Sequence, residues 1–173
     1  MSPLQPEQAT ILRDAFLRNV KLEQPVTQRV IEAILPGKGD FRIDDVGKTA
    51  LDLAWHIVAA EHKFMQCAVT GTFDLTPLPR PADVTDASAV ARWYAGTAAD
   101  DHPMIAAAPV DVLLTSVDFR GLFKSPAVMF LQVGMNHSIH HRGQLSMYLR
   151  PMGSKVPAIY GESYDSAKAK AGA

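Results

Sequence analysis

The sequence contains little of what marks several specialised classes of protein. It has a single cysteine, Cys67, so no disulfide can form within the chain. No stretch approaches the roughly 20 continuous apolar residues that a membrane-spanning helix needs, and the first residues lack the cationic and apolar segments of a signal peptide. Basic and acidic residues nearly balance, at 17 and 18, so a basic surface for nucleic acid is not expected. We therefore expect a cytoplasmic protein without nucleic-acid or membrane partners.

The chain does have enough apolar sequence for one domain. Its 173 residues are 47% hydrophobic and 20% charged, a balance typical of a globular protein with a real core. No fixed-period repeat or low-complexity block divides the chain. We expect a single domain over residues 1–173. Residues 166–173 are expected to form a flexible tail, because this segment has few apolar side chains.

Apolar residues recur at helical spacing in four long segments. Thr49 and Ser125 are natural N-cap residues, Pro126 suits the first position of a helix, and Gly71 suits a helix end. Pro25 is expected to kink or split the first segment, since proline removes a hydrogen bond and clashes with the preceding turn. The predicted helices cover approximately residues 7–35, 49–71, 86–108 and 125–150.

The rest of the chain gives weaker signals. Pro103 is expected to bend or end the third helix. Residues 109–124 are not assigned, because they could hold either a short turn or an extended stretch, and no segment shows a convincing strand alternation. Four long helices joined by long loops predict an all-α protein of the four-helix-bundle class.

The segment "NHSIHHRGQL" on the fourth predicted helix contains three of the six histidines. His137 and His141 are four residues apart, which places both on one helix face with their Cβ atoms about 6 Å apart. Both imidazoles can then reach one metal ion. Their face is shared with apolar residues, so it points at the core, whereas His140 lies off it. Spacing and face leave two interpretations equally open, a pair of metal ligands or a hydrogen-bonded pair of core histidines.

A metal site would need a further ligand from another helix. His62 projects opposite the apolar stripe of the second helix, so a surface position is expected. Cys67 lies roughly 16 Å along the helix axis from His56, too far for the two to share one ion. His56 flanks the apolar stripe and Glu61 lies within it, so helical periodicity does not choose between them.

The blocks "LAWHIVAAEHKF", "TGTFD" and "NHSIHHRGQLSMYLRPMGSKVPAIYG" resemble the DinB family, also called the DinB/YfiT-like metalloenzymes. The likeness extends over about residues 40–165. It implies an up-down-down-up four-helix bundle that holds a divalent metal ion with three histidines. Matched position by position, it assigns His56, His137 and His141 as metal ligands. It also implies that Glu61 supports those ligands or has a structural role, in preference to binding the metal itself, and that Gln144 hydrogen-bonds a ligand or a bound water.

The resemblance leaves the reaction open. It implies a divalent metal ion, with zinc or nickel first and manganese or iron as alternatives, because an all-nitrogen ligand set does not select among them. The first functional hypothesis is an enzyme that transfers a low-molecular-weight thiol to a small electrophile in detoxification or stress response. The alternatives are a metal-dependent hydrolase and a stress protein that binds metal or ligand without catalysis. No catalytic acid or base is assigned.

The fourth predicted helix is apolar around much of its circumference. Val128, Met129, Met135 and Met147 lie away from the histidine face. A helix that is apolar nearly all round is buried by its own domain or by a partner. We therefore predict a homodimer in addition to a small-molecule substrate.

Overall fold

The computed structural model describes residues 3–172, and these residues form a mostly helical protein with one small sheet. The prediction of a mainly helical fold is therefore confirmed. None of its helices is long and apolar enough to cross a membrane. The elements are α1 (Pro6–Glu32), α2 (Ala50–Thr70), α3 (Ala87–Ala107), α4 (Val110–Leu114), β1 (Ser116–Phe119), β2 (Phe123–Pro126), α5 (Ala127–Leu149) and α6 (Tyr164–Ala171).

The helix pair α2 and α5 positions the candidate site. These two helices run in opposite directions, since the start of α2 meets the end of α5 and the reverse holds at the other end. His56 approaches His141, whereas eight residues later Phe64 approaches Phe130. Residues far apart in sequence are therefore brought together along the whole length of the pair.

Hydrogen bonds fix the directions of the other long helices. Two hydrogen bonds join α2 to α3, and the bond that lies further along α2 also lies further along α3. These two helices are therefore parallel. Two hydrogen bonds join α1 to α3, and the bond that lies further along α1 lies earlier along α3. Helix α1 is therefore antiparallel to α3 and parallel to α5. The bonds are Glu61–Tyr94 and Gln66–Asp101 for the first pair, and Gln24–Tyr94 and Gln28–Ala91 for the second.

The predicted helix ends agree with the structure at α2 and α3. The Thr49 side chain accepts a hydrogen bond from the backbone of Asp52, and Asp86 caps α3 in the same way. Gly71 ends α2 with φ +71°, a conformation that costs glycine little. These local signals need only a short side chain or a glycine, which explains why the sequence reveals them.

The start of α5 differs from the prediction, and neither the split expected as one alternative at Pro25 nor the helix end expected as one alternative at Pro103 occurs. Pro25 and Pro103 both lie inside continuous helices, α1 and α3. Packing against the neighbouring helices therefore outweighs the cost of an interior proline. Ser125 does not cap α5, because Ser125 and Pro126 belong to strand β2 and the helix begins at Ala127.

The unassigned segment contains structure that the sequence did not reveal. Residues 116–126 form an antiparallel hairpin in which Ser116 pairs with Pro126 and Phe119 with Phe123. Each strand has four residues, too few for a clear alternation. The hairpin packs Val117 and Phe119 against Phe64 and Phe130. Of the short turn and the extended stretch that the sequence left open for this segment, the structure contains the extended one.

The C-terminal segment also differs from the expected flexible tail. Residues from Tyr164 to Ala171 form helix α6, which begins with a capping box at Ser163. Asp165 accepts hydrogen bonds from the Arg150 side chain and the Val156 backbone. These bonds connect the C-terminal segment to the end of α5.

Candidate metal site

Three histidines meet between α2 and α5. His56 projects from α2, and His137 and His141 project from successive turns of α5. One ring nitrogen from each lies within 4.8 Å of the others, and the Nε2 atoms of His56 and His141 are 3.3 Å apart. Two nitrogens that each bind one zinc ion at 2.0–2.1 Å in tetrahedral geometry are separated by roughly 3.3 Å. The observed separation therefore fits two ligands of one ion.

A glycine allows the two helices to approach closely beside this group. Gly134 lies one turn before His137, and a Cβ atom there would be 2.5 Å from the Cβ of Phe64. No side chain fits in that space without separating α2 from α5. Gly134 therefore contributes to the short distance between His56 and the α5 histidines.

The surroundings keep two of the imidazoles neutral. Burial lowers the pKa of His56 to about 4, with smaller contributions from the charges of His141 and Lys48. Burial likewise lowers the pKa of His137 to about 4, assisted by the neighbouring histidines. Both rings are therefore unprotonated near pH 7 and have lone pairs available for a metal ion. His137 Nδ1 is also buried without a hydrogen-bond partner among residues 3–172, as expected of a nitrogen reserved for another ligand.

Gln144 orients His141. The Gln144 Oε1 atom lies 2.8 Å from His141 Nδ1, so the amide oxygen accepts a hydrogen bond when Nδ1 carries the proton. This tautomer leaves the lone pair on Nε2, the nitrogen that faces His56. A hydrogen bond to the distal nitrogen is the usual way in which proteins fix a ligating histidine.

Glu61 hydrogen-bonds a tyrosine of α3, which corresponds to the structural role among the interpretations of this residue. It is 4% exposed and accepts a 2.6 Å hydrogen bond from the Tyr94 hydroxyl. Within the described part of the chain, no hydrogen bond joins it to His56, His137 or His141. Burial raises the pKa of its carboxyl group. Glu61 therefore links α2 to α3, and of the two candidates that periodicity left open only His56 joins the group.

The other candidate ligands lie elsewhere. His62, expected at the surface, is half-buried, with 26% of its side chain exposed, and its Nδ1 is 2.7 Å from the buried carboxylate of Asp101. Cys67 is fully buried, and burial raises its pKa to about 12, so it is a neutral thiol. His140 is exposed, as predicted. Arg142 is 1% exposed and forms an ion pair with Glu23 at 2.7 Å.

A pocket opens beside the histidines. It has a volume of about 510 Å³, and His56 and His137 form part of its wall. The volume is within the range of about 300–1,000 Å³ that is usual for small-molecule sites. Much of the opposite wall comes from the hairpin and the loop after α2, including Phe119, Arg120 and Phe73. Sequence reasoning missed Phe119 and Arg120 because the hairpin was not recognised.

Comparisons with known proteins identify similar sequences. The family model described as DinB family matches residues 7–171. The uncharacterized proteins YrdA and YjoA of Bacillus subtilis (strain 168) are 28% and 25% identical over 157 and 137 residues. These alignments cover 86% and 78% of this chain, and 87% of each relative.

Two crystal structures have a similar fold. A DinB-like protein from Bacillus cereus ATCC 10987 matches with a TM-score of 0.70 and 26% identity, covering 85% of this chain and 97% of that one. The DinB-like protein YjoA from Bacillus subtilis matches with the same TM-score and 21% identity, covering 86% and 99%. The fold therefore extends over nearly the whole of both structures.

Proposed function

Because the chain belongs to the DinB family, we propose that it binds one divalent metal ion through His56, His137 and His141. We propose further that it uses this ion in a reaction on a small molecule. The observation that carries the proposal is the group of three ring nitrogens within 4.8 Å of one another. Three histidines leave coordination positions open, an arrangement found in catalytic rather than closed structural sites.

Each part of the site has a role in this proposal. When bound, a divalent cation lowers the pKa of a coordinated water or thiol and so supplies a nucleophile near neutral pH. Burial keeps His56 and His137 neutral, and Gln144 holds His141 through its Nδ1 atom. The adjoining pocket, lined by His56 and His137, would hold the substrate next to the ligands.

Metal analysis of purified protein tests the ligand set. We expect about one divalent ion per chain, with zinc or nickel first and manganese or iron as alternatives. His56→Ala should lower the affinity at least about tenfold, as loss of a ligand or of its support usually does. His140→Ala is the matched control, because His140 is exposed and outside the group. Full metal retention by His56→Ala would refute the ligand set.

Among reactions, thiol transfer to a small electrophile is the first proposal and metal-dependent hydrolysis the second. His56, His137 and His141 would hold the ion, which would lower the pKa of a thiol so that its proton passes to solvent. The thiolate sulfur would then form a bond to the electrophilic carbon as the bond from that carbon to the leaving group breaks. The metal-loaded protein should be screened with small thiols and electrophiles, with ester substrates as a second arm. Turnover that requires thiol and disappears in His137→Ala supports the transferase. Stoichiometric binding without turnover supports a ligand-binding protein instead.

Self-association is a separate prediction, and fewer exposed apolar residues of α5 support it than the sequence suggested. Val128 and Met135 are buried within the chain's own core, which explains part of the apolar circumference of α5. Met147 is 69% exposed and is the side chain on α5 that a second copy would cover. Light scattering at several concentrations tests this prediction, and a monomeric mass throughout would contradict it.

A further inference from the structure

The pocket beside the histidines has an aromatic wall. Phe64, Phe73 and Phe119 pack against one another, with ring centroids 4.9–5.9 Å apart. Phe130 supports them from behind and is fully buried. All three rings of the wall line the pocket. Aromatic groups prefer offset or edge-to-face contacts at about these distances, so the wall suits a flat apolar ligand.

The charged residues around the pocket are not all neutralised. Lys63 lies 3.9 Å from Asp74 and also donates to a backbone carbonyl, and Asp52 lies 3.7 Å from Arg80. Lys48 and Arg120 also line the pocket, and neither forms an ion pair with any residue between 3 and 172. The two cations without partners therefore favour a ligand that carries negative charge.

Arg120 is held in an unusual backbone conformation. Its φ is +60°, a left-handed value that glycine or asparagine adopts at lower cost than arginine. Arg120 lies in the turn of the hairpin, where the backbone of Leu122 bonds to Phe119. Residues in such conformations cluster at ligand-binding sites. The hairpin turn thus places a guanidinium group at the pocket in a position where the backbone alone would favour another residue.

We propose that this pocket binds an aromatic carboxylate, with its ring system against Phe64, Phe73 and Phe119 and its carboxylate directed to Arg120 and Lys48. A guanidinium group matches a carboxylate through paired hydrogen bonds. The ligand would lie beside His56 and His137. Its role as the substrate rests on the proposed metal-dependent function, whereas its binding does not.

A matched pair of probes tests the inference on the whole chain. We choose 2-naphthoate and the isosteric, uncharged 2-naphthamide, and calorimetric titration in the presence of EDTA. Chelation prevents the carboxylate from binding a metal ion instead. Naphthoate is expected to bind with one site per chain and about tenfold more tightly than naphthamide. This preference should decrease as salt is raised, because the two cations are exposed.

Substitutions separate the ring contacts from the charge contacts. Arg120→Asn and Lys48→Gln should each weaken naphthoate binding roughly fivefold and leave naphthamide binding unchanged. Arg120→Asn should fold at least as stably as the parent, because asparagine tolerates positive φ. Phe73→Ala should weaken both probes. Arg92→Gln is the control, since Arg92 is exposed on α3 and does not line the pocket.

The outcomes distinguish this inference from the proposed function. Equal affinity for the two probes, or an unchanged preference in Arg120→Asn combined with Lys48→Gln, would overturn the carboxylate site even if the protein binds metal. Naphthoate binding as expected, in a protein that takes up no metal, would overturn the metal proposal and leave the pocket inference intact.

Discussion

At the scale of single residues, His56 and His137 differ from ordinary histidines in their affinity for protons. Burial lowers both pKa values to about 4, whereas histidines of the unfolded chain titrate near about 6.5. Between these values the unfolded chain binds protons that the folded chain does not. The free energy of unfolding is therefore unaffected by the protonation of these two rings above about pH 6.5, and it decreases as the pH falls from there towards 4.

This protonation difference can be measured on the metal-free protein. The free energy of unfolding from urea titrations in EDTA is expected to be lower at pH 5 than at pH 7. His137→Gln should show a smaller decrease, since one of the two titrating rings has been removed. His140→Gln should behave like the parent, because this ring is exposed. An identical decrease in the parent and His137→Gln would show that His137 does not have a lowered pKa.

At the scale of elements, the contact between α2 and α5 depends on one residue without a side chain. In Gly134→Ala the new methyl group would overlap Phe64, and overpacking of this kind typically costs about 1–3 kcal/mol. We expect lower stability in denaturant titrations and weaker metal binding, since the helices that present the histidines are pushed apart.

A second glycine on α5 provides the control for this prediction. A Cβ atom at Gly143 meets nothing within 4 Å, so Gly143→Ala should raise stability by about 0.5–1 kcal/mol through its helix propensity. If both substitutions have the same effect, the close approach of Phe64 to α5 does not limit the packing.

The elements also show which features a sequence can predict. Thr49 and Gly71 act locally, through one hydrogen bond or one backbone angle, and their roles could be read directly. The hairpin could not, because its turn uses Arg120 and Gly121, both at positive φ, where asparagine or aspartate before glycine is the usual signal. Pro25 stays within α1 because packing against other helices offsets its cost. That packing involves residues distant in sequence, so no local pattern predicts it.

At the scale of the whole molecule, Arg142 connects segments from both ends of the chain. Its guanidinium group donates to Glu23 of α1 at 2.7 Å and to the Tyr160 hydroxyl at 2.7 Å. Tyr160 in turn donates to Glu23. The Arg142 side chain is 1% exposed, whereas Tyr160 is 69% exposed, so these bonds are partly shielded from water and should contribute more than fully exposed ion pairs do.

Replacing this arginine by lysine should therefore be costly. Lysine keeps the charge but has a single ammonium group, which does not reproduce the planar fork that serves Glu23 and Tyr160 together. We expect Arg142→Lys to lower the free energy of unfolding by about 1.5–3 kcal/mol. Arg150→Lys is the comparison, because Arg150 forms an exposed ion pair with Asp165 and should cost less than about 1 kcal/mol. Equal effects in urea titrations would contradict the role given to Arg142.

The candidate site could be predicted only in part from the sequence, because it depends on contacts between helices that are distant in sequence. Helical spacing placed His137 and His141 on one face, but it did not choose between His56 and Glu61 on α2. The resemblance to the DinB family made that choice, and the structure brings His56 to the pair. The pocket wall depends on the hairpin, whose contacts with α2 and α5 no local pattern indicates.

The distance along the chain between the histidines has a consequence for biosynthesis. His56 and His141 are 85 positions apart in sequence, yet their rings meet between α2 and α5. A nascent chain emerging from the ribosome would expose His56 long before either partner on α5 has been synthesised. Under the proposed ligand set, metal uptake must wait until α5 has docked against α2, so ion binding would report that synthesis has passed residue 141 and that the two helices have assembled.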